Sequence, residues 1–367
     1  MTAVQRPSEA YAAGVTAGRW QHDAAQVAVL RSLDRIHEGL DAGHDAGLLD
    51  RLRGLFGGAT PVRGLYLWGG VGRGKTFLID LLHEALPGER KLRLHFHRFM
   101  GRVHEALRAH AGEQDPLRAI ARQLAAEARL FCLDEFFVQD IGDAMILGEF
   151  LRHLIDAGAT LVTTSNLPPH RLYEHGLQRA RFLPAIALIE RHCEVLELVS
   201  ATDYRLRTLT SGGVYHCPPG PAADAAMAQS FERLAPGARH TSEALRINER
   251  AVPVRRRADG IAWFDFPALC EGPRAVSDYI ELARSFNTVL VSDVPVLGGS
   301  GTLEDAAKRF VHLIDEFYDR HVNLILSAAA APTALYRGDR HRNEFARTES
   351  RLIEMQSTEY LARAHRP

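Results

Sequence analysis

Residues 69 to 76 read Gly69-Gly70-Val71-Gly72-Arg73-Gly74-Lys75-Thr76, a complete G-x-x-x-x-G-K-[ST] loop between an apolar run and a helical one. The motif restricts the local fold to strand, loop and helix in that order. Gly64-Leu65-Tyr66-Leu67-Trp68 has the apolar, aromatic character of a buried strand, and Phe77 to His83 carries apolar residues at helical spacing. Glycines let successive backbone N–H groups wrap a phosphate, with the following helix N-terminus aimed at the same anion. The Lys75 ammonium then reaches the β/γ-phosphates and the Thr76 hydroxyl holds Mg²⁺. ATP and Mg²⁺ are therefore the expected ligands of Gly69, Gly70, Val71, Gly72, Arg73, Gly74, Lys75 and Thr76. Composition strengthens the match, because Lys75, Lys91 and Lys308 are the only lysines among 44 basic residues.

Around the loop the chain alternates in the βαβ manner. Val27, Leu30, Leu33, Ile36 and Leu40 share one helical face, so residues 1–50 read as a helical lead-in. Strands are predicted at 91–96, 130–135, 160–166 and 194–199, with helices over 99–111, 116–128, 143–157 and 169–191. This predicts an α/β fold: a P-loop NTPase (AAA+-like) parallel sheet over residues 51–205, helices on both faces, and ligands at the carboxyl ends of the strands.

The strand Leu130 to Leu133 ends in two carboxylates, Asp134 and Glu135. Buried carboxylates are costly unless compensated. Beside a phosphate loop they have work: Asp134 orients the Mg²⁺ shell, and Glu135 positions or polarises the attacking water. Asn166 ends the next strand and can read the γ-phosphate and that water, or it can serve as an ordinary turn residue before Leu167-Pro168-Pro169. Pro184 is expected to end a helix near residue 183, leaving Arg179 and Arg181 at its terminus. An arginine donated in trans would stabilise the transferring phosphoryl group, and Arg181 is the choice; surface arginines in a salt bridge are the alternative.

Basic and acidic residues number 44 and 45, for a net charge of −1, so no global field draws the chain to nucleic acid or anionic lipid. The one basic run, Arg255-Arg256-Arg257, reads as a solvated turn between strands. Cys132, Cys193, Cys217 and Cys270 show no C-x-x-C spacing and are expected to be reduced and structural. No signal peptide or membrane-spanning run is evident, which predicts a cytoplasmic protein.

Several segments together resemble the ZapE (Afg-type) branch of the AAA+ ATPases. They are the loop Gly69 to Thr76, the histidine-rich segment His95 to His104, Leu133 to Phe136, Thr164-Ser165-Asn166 with Pro168, and Gly176 to Pro184. Tyr204-Arg205-Leu206, Trp263 to Phe266, Asp278-Tyr279-Ile280 and Arg347 to Ser357 extend the resemblance over nearly the whole chain. It implies a bacterial cell-division ATPase associated with the tubulin-like division ring at the inner membrane, and recruited to the division site.

Residues 206–367 are expected to form a second, C-terminal α/β domain rather than a short helical lid. A turn or hairpin is predicted at 212–220, a helix at 222–234, and two strands over 245–266 joined by the arginine-rich turn. Asp134 to Asp156 and Asp293 to Asp315 both span 22 positions, which invites a degenerate repeat of the core without its phosphate loop; coincidence of two ordinary helix-strand units is the alternative. Arg347 and Arg351 share a helical face and could meet phosphate or an acidic partner, or form surface ion pairs.

Three functions fit this pattern. The leading one is an oligomeric, Mg²⁺-dependent ATPase, a ring being one form open to it, that remodels a protein partner, with Phe99 and Met100 either on an inward-facing substrate loop or packed in the core. The others are a DNA-linked, helicase-loader-like ATPase, suggested by Asp203-Tyr204-Arg205-Leu206, and a nucleotide-gated scaffold. Neutral charge argues against stable nucleic-acid binding, and Glu135 argues against a pure scaffold.

Overall fold

The computed structural model describes residues 5–42, 61–70, 72–138, 140–199, 203–235, 241–248, 250–258, 260–299 and 301–366. Val71 of the phosphate loop and residues 1–4 and 43–50 of the expected lead-in fall outside them. Contacts divide the chain into two compact units, Met1–Ala201 and Thr202–Pro367.

The first unit holds five parallel strands: β1 (Gly64–Trp68), β2 (Lys91–His95), β3 (Leu130–Asp134), β4 (Thr160–Ser165) and β5 (Cys193–Glu197), in the order β2-β3-β4-β1-β5. Successive side chains point to opposite faces of a strand. Leu65, Leu67, Cys132 and Val162 therefore face one way, under α1 (Pro7–Thr16), α2 (Ala24–Ala42) and α3 (Lys75–Ala85), where Tyr11, Leu33, Ile36 and Leu78 complete a core. Tyr66, Phe131, Leu133 and Leu161 face the other way, under α4 (Phe96–Ala109), α5 (Pro116–Glu127), α6 (Ile141–Asp156) and α7 (Leu183–His192). Burial on both faces explains why the strands read as unbroken apolar runs. Side chains set the helix starts: Asp115 accepts from the Arg118 amide ahead of α5, and Asp140 from those of Gly142 and Asp143 ahead of α6.

Two expectations for this unit are corrected, and one left open between two alternatives is decided. Residues 169–191 are not one helix: they form 3₁₀ turns at Pro169–Arg171 and Arg179–Arg181, then α7. Pro184 opens α7 instead of ending a helix, since a first-turn proline forfeits no helical hydrogen bond and its fixed φ suits the position. Phe99 and Met100 form no exposed loop; β2 passes directly into α4, whose apolar face buries both beneath the sheet, at 0% and 1% exposure.

The second unit comprises α8 (Tyr204–Gly212), β6 (Tyr215–His216), α9 (Pro221–Leu234), β7 (Leu245–Ile247), β8 (Arg250–Val252), β9 (Arg256–Ala258), β10 (Ile261–Asp265), α10 (Phe266–Cys270), α11 (Val276–Ser285), β11 (Thr288–Val294), α12 (Gly301–Asp319), β12 (Asn323–Ala328), α13 (Arg342–Glu354) and α14 (Thr358–Leu361). Its sheet runs β6-β12-β11-β10-β9, with only β9 antiparallel to its neighbour; β7 and β8 pair separately. Residues 212–220 make no hairpin. Gly212 ends α8 and Tyr215-His216 pairs in parallel with β12, after which Pro218 and Pro219, lacking N–H groups, cannot extend a ladder. Nor is the arginine run a turn: Arg256 and Arg257 lie in edge strand β9, where Arg256 Nη1 meets Glu232 Oε1 at 2.8 Å. Arg347 and Arg351 both pair with Asp315 of α12, so they read as an ion-pair ladder.

Candidate active site

Every ligand-facing feature of the first unit collects at the carboxyl ends of β1, β2, β3 and β4, where the order of a parallel sheet opens its crevice. The chain leaves β1 at Gly69, whose φ is +146°; a Cβ there would stand 2.6 Å from the Leu198 carbonyl oxygen, so only glycine fits. Gly74, at φ +88°, turns the loop into α3, and Gln26 of α2 steadies it by donating to the Arg73 carbonyl at 3.2 Å. Thr76 is half-buried in the first turn of α3.

Lys75 is 9% exposed and bends back over the loop. Its Nζ donates to the carbonyls of Gly69 at 2.7 Å and Gly70 at 2.8 Å, and to Asn166 Oδ1 at 3.0 Å. An ammonium that donates to these neutral oxygens can exchange them for phosphate oxygens, whose negative charge adds a Coulombic attraction that neutral oxygens lack. The Asn166 contact brings the end of β4 to the same point.

Asp134 alternates with Cys132 along β3 and so faces α3, at 1% exposure. Thr164 and Arg93 are among the groups that compensate its charge. Thr164 Oγ1 of β4 donates to Asp134 Oδ1 at 3.0 Å, and Arg93 of β2 donates to Oδ2 at 2.7 Å while its Nη1 stands 2.7 Å from Asp80 Oδ1 of α3. A carboxylate has about four acceptor sites, so it can accept from such donors and from the water shell that Mg²⁺ keeps. Thr76 and Asp134 thus fit a Mg²⁺ site. Buried beside them, the Cys132 thiol is pushed up to about 12, chiefly by loss of solvent, and stays protonated.

Glu135 follows with φ +52°, and its N–H donates to Thr164 Oγ1 at 3.0 Å. A non-glycine residue in the left-handed region costs about 1–3 kcal/mol and persists where surroundings impose it. Here one hydroxyl holds both residues of the acidic pair, binding the carboxylate of Asp134 and the backbone of Glu135. His95 Nδ1, at the end of β2, stands 3.8 Å from Glu135 Oε2.

Among the expected site residues, the loop, Lys75, Asp134, Glu135 and Asn166 come together, whereas Arg181 does not. It is exposed in the turn Arg179–Arg181, and its neighbour Arg179 donates to the His170 carbonyl. Arg93, Thr164 and Gln26 had not been singled out. The clue for Arg93 was the polar alternation Lys91, Arg93, His95 on a strand otherwise made of leucine. Arg93→Met should leave Asp134 buried without its cation and lower stability by about 3–5 kcal/mol. Adding Asp134→Asn should recover part of that loss. Urea unfolding of the single and double variants measures both, and purely additive losses would show that the pair is not coupled.

A phosphate loop on a parallel sheet, with an acidic pair closing the second strand away, defines a P-loop ATPase. Residues 5–364 match the profile described as AFG1-like ATPase, and the chain belongs to that family. ATP is its substrate. The chain is 47% identical over 369 residues to the cell division protein ZapE of Escherichia coli (strain K12), covering 98% of each. It is 35% identical over 348 residues to lactation elevated protein 1 homolog B of Danio rerio, covering 82% of this chain and 68% of that one. Domain III of the Thermotoga maritima replication initiation protein DnaA matches 53% of this chain and 70% of its own at 15% identity and a TM-score of 0.34, too slight a likeness to bear on function. No helix among the described residues is long and apolar enough to cross a membrane.

Proposed function

We propose that the chain couples Mg²⁺-dependent ATP hydrolysis to the remodelling of a protein partner in cell division, as a homo-oligomer in which Arg181 of one copy completes the site of the next. One observation carries the catalytic part: Lys75 Nζ bonds Asn166 Oδ1 at 3.0 Å, so the phosphate-binding ammonium and the polar residue ending β4 act on the same atoms. ATP is held by the loop amides and Lys75. Thr76 and Asp134 would hold Mg²⁺, which would supply positive charge against that of the β- and γ-phosphates. Asn166 orients the attacking water and Glu135 polarises it. An exposed Arg181, away from its own chain's loop cluster, suits a residue offered to a neighbour.

The division role rests on the similarity to the cell division protein of E. coli, 47% identical along 98% of both chains; a tubulin-like division protein is the candidate partner. A net charge of −1 disfavours the DNA-linked reading. ATP turnover measured alone, with single-stranded DNA, and with a tubulin-like division protein separates them. Stimulation several-fold by the protein alone is expected, and stimulation by DNA alone would replace this reading with the loader one.

A further inference from the structure

Four strands of the second unit repeat four of the first, while β5 has no counterpart there and β7, β8 and β9 are additions. The sheet order β10-β11-β12-β6 reproduces β2-β3-β4-β1, all parallel, with a helix following β6 as α3 follows β1. Registers agree as well: His95 pairs with Asp134 where Asp265 pairs with Ser292, and Leu133 with Thr163 where Val291 pairs with Leu326. β2 runs directly into α4, and β10 directly into α10. Local geometry recurs. After β3, Glu135 has φ +52° and its N–H donates to Thr164 Oγ1 at 3.0 Å; in β11, Asp293 has φ +63° and its N–H donates to Ser327 Oγ at 2.9 Å. β4 and β12 each lead to a three-residue 3₁₀ turn beginning with proline, Pro169 and Pro332, followed by Leu-Tyr. A coincidence of two helix-strand units would not reproduce order, register and strained backbone together.

Among the described residues of the second unit, the counterparts of the nucleotide-holding groups are nonetheless missing. Six residues, Gly69 to Gly74, separate β1 from α3, but only Cys217 to Gly220 separate β6 from α9. Pro221 and Ala222 stand at the helix start where the first unit has Lys75 and Thr76, so ammonium, hydroxyl and one N–H are all gone. Ser292 replaces Asp134 by register, and Ala329, counted on from Ser327, replaces Asn166.

A side chain fills the place instead. Arg255 reaches the carboxyl ends of the strands, where Nε donates to Asp265 at the end of β10, Nη1 to Asp224 in the first turn of α9 at 2.8 Å, and Nη2 to Asp293 in β11 at 2.8 Å. The guanidinium also lies 5.4 Å from the Trp263 ring centroid, and Trp263 Nε1 donates to Ser292 Oγ at 2.9 Å. Three carboxylates around one guanidinium leave an excess of negative charge, which repels a triphosphate.

We infer that the second unit is a degenerate copy of the ATPase core whose nucleotide site is closed by Arg255. The guanidinium joins helix start and strand ends permanently, as nucleotide joins them reversibly in the first unit. Each chain therefore binds one nucleotide.

Titration calorimetry with Mg²⁺ and the β,γ-imido analogue of ATP tests this in the full-length protein. One equivalent per chain is expected, falling below detection in Lys75→Ala. Two equivalents in the wild type, or one surviving in Lys75→Ala, would overturn the inference. Asp293→Asn keeps the shape of the residue corresponding to Glu135 and should leave kcat and KM within twofold of wild type; a loss of turnover beyond tenfold would mean that this end of the second unit takes part in catalysis. Arg255→Met should lower the melting temperature with stoichiometry unchanged, and Arg255→Lys should recover part of the loss. An Arg255→Met protein that melts like wild type would show that the guanidinium joins nothing.

Discussion

Lys75→Ala is expected to abolish productive nucleotide binding while both units stay folded. The interactions made by Nζ in the free protein disappear, among them two to loop carbonyls and one to Asn166. A hydrogen bond from a charged donor is worth about 1.5–3 kcal/mol, but the freed acceptors border the open end of the sheet, where water can replace the ammonium. The fold therefore loses little. The ligand loses the one cation aimed at its β/γ-phosphates. A ligand present at 100 times its Kd stabilises the native state by about 2.7 kcal/mol, so Mg²⁺-ATP should raise the melting temperature of wild-type protein and leave the variant unmoved. A variant that keeps the wild-type shift would show that phosphate is held elsewhere.

Much of this site was legible in the sequence because its chemistry is local. The loop and the strand that feeds it are contiguous, and the acidic pair terminates an apolar run. What sequence hid was contact across strands. Thr164 lies in Thr163-Thr164-Ser165, and nothing in that run distinguishes the hydroxyl that holds both Asp134 and Glu135 from its two neighbours. Arg93 lies 41 positions from Asp134, and its alternation with Lys91 and His95 marks a polar strand face without naming the carboxylate it meets. Pro184 misled for a different reason: proline stops a helix from within and starts one at its first turn, and the following run, Ala185 to His192, decides which. Phe99 and Met100 were ambiguous because an apolar pair just past a strand suits either an exposed loop or the first turn of a buried helix. The amphipathic run through Val103 settles it, with Phe99, Met100 and Val103 buried on one face of α4.

Glu135→Gln should bind ATP with near-wild-type affinity and cease to turn it over. The amide preserves size and hydrogen bonding, and the backbone bond to Thr164 does not depend on the side chain, so the strained turn survives. Losing binding and hydrolysis together would instead make Glu135 a structural or metal-binding residue. The same variant tests assembly. Arg181→Ala should also bind ATP and hydrolyse it slowly, by a factor on the order of 10³ if its role matches that of arginines supplied in trans to other phosphoryl-transfer sites. Neither variant alone can form a complete site. In a mixed oligomer, however, an Arg181→Ala copy keeps its own Glu135, and a Glu135→Gln neighbour can offer it an intact Arg181. Mixing should then restore part of the wild-type rate, and wild-type activity should rise faster than linearly with protein concentration as sites are completed. Full activity at high dilution, with no rescue on mixing, would leave Arg181 an ordinary surface residue and each chain a self-sufficient ATPase.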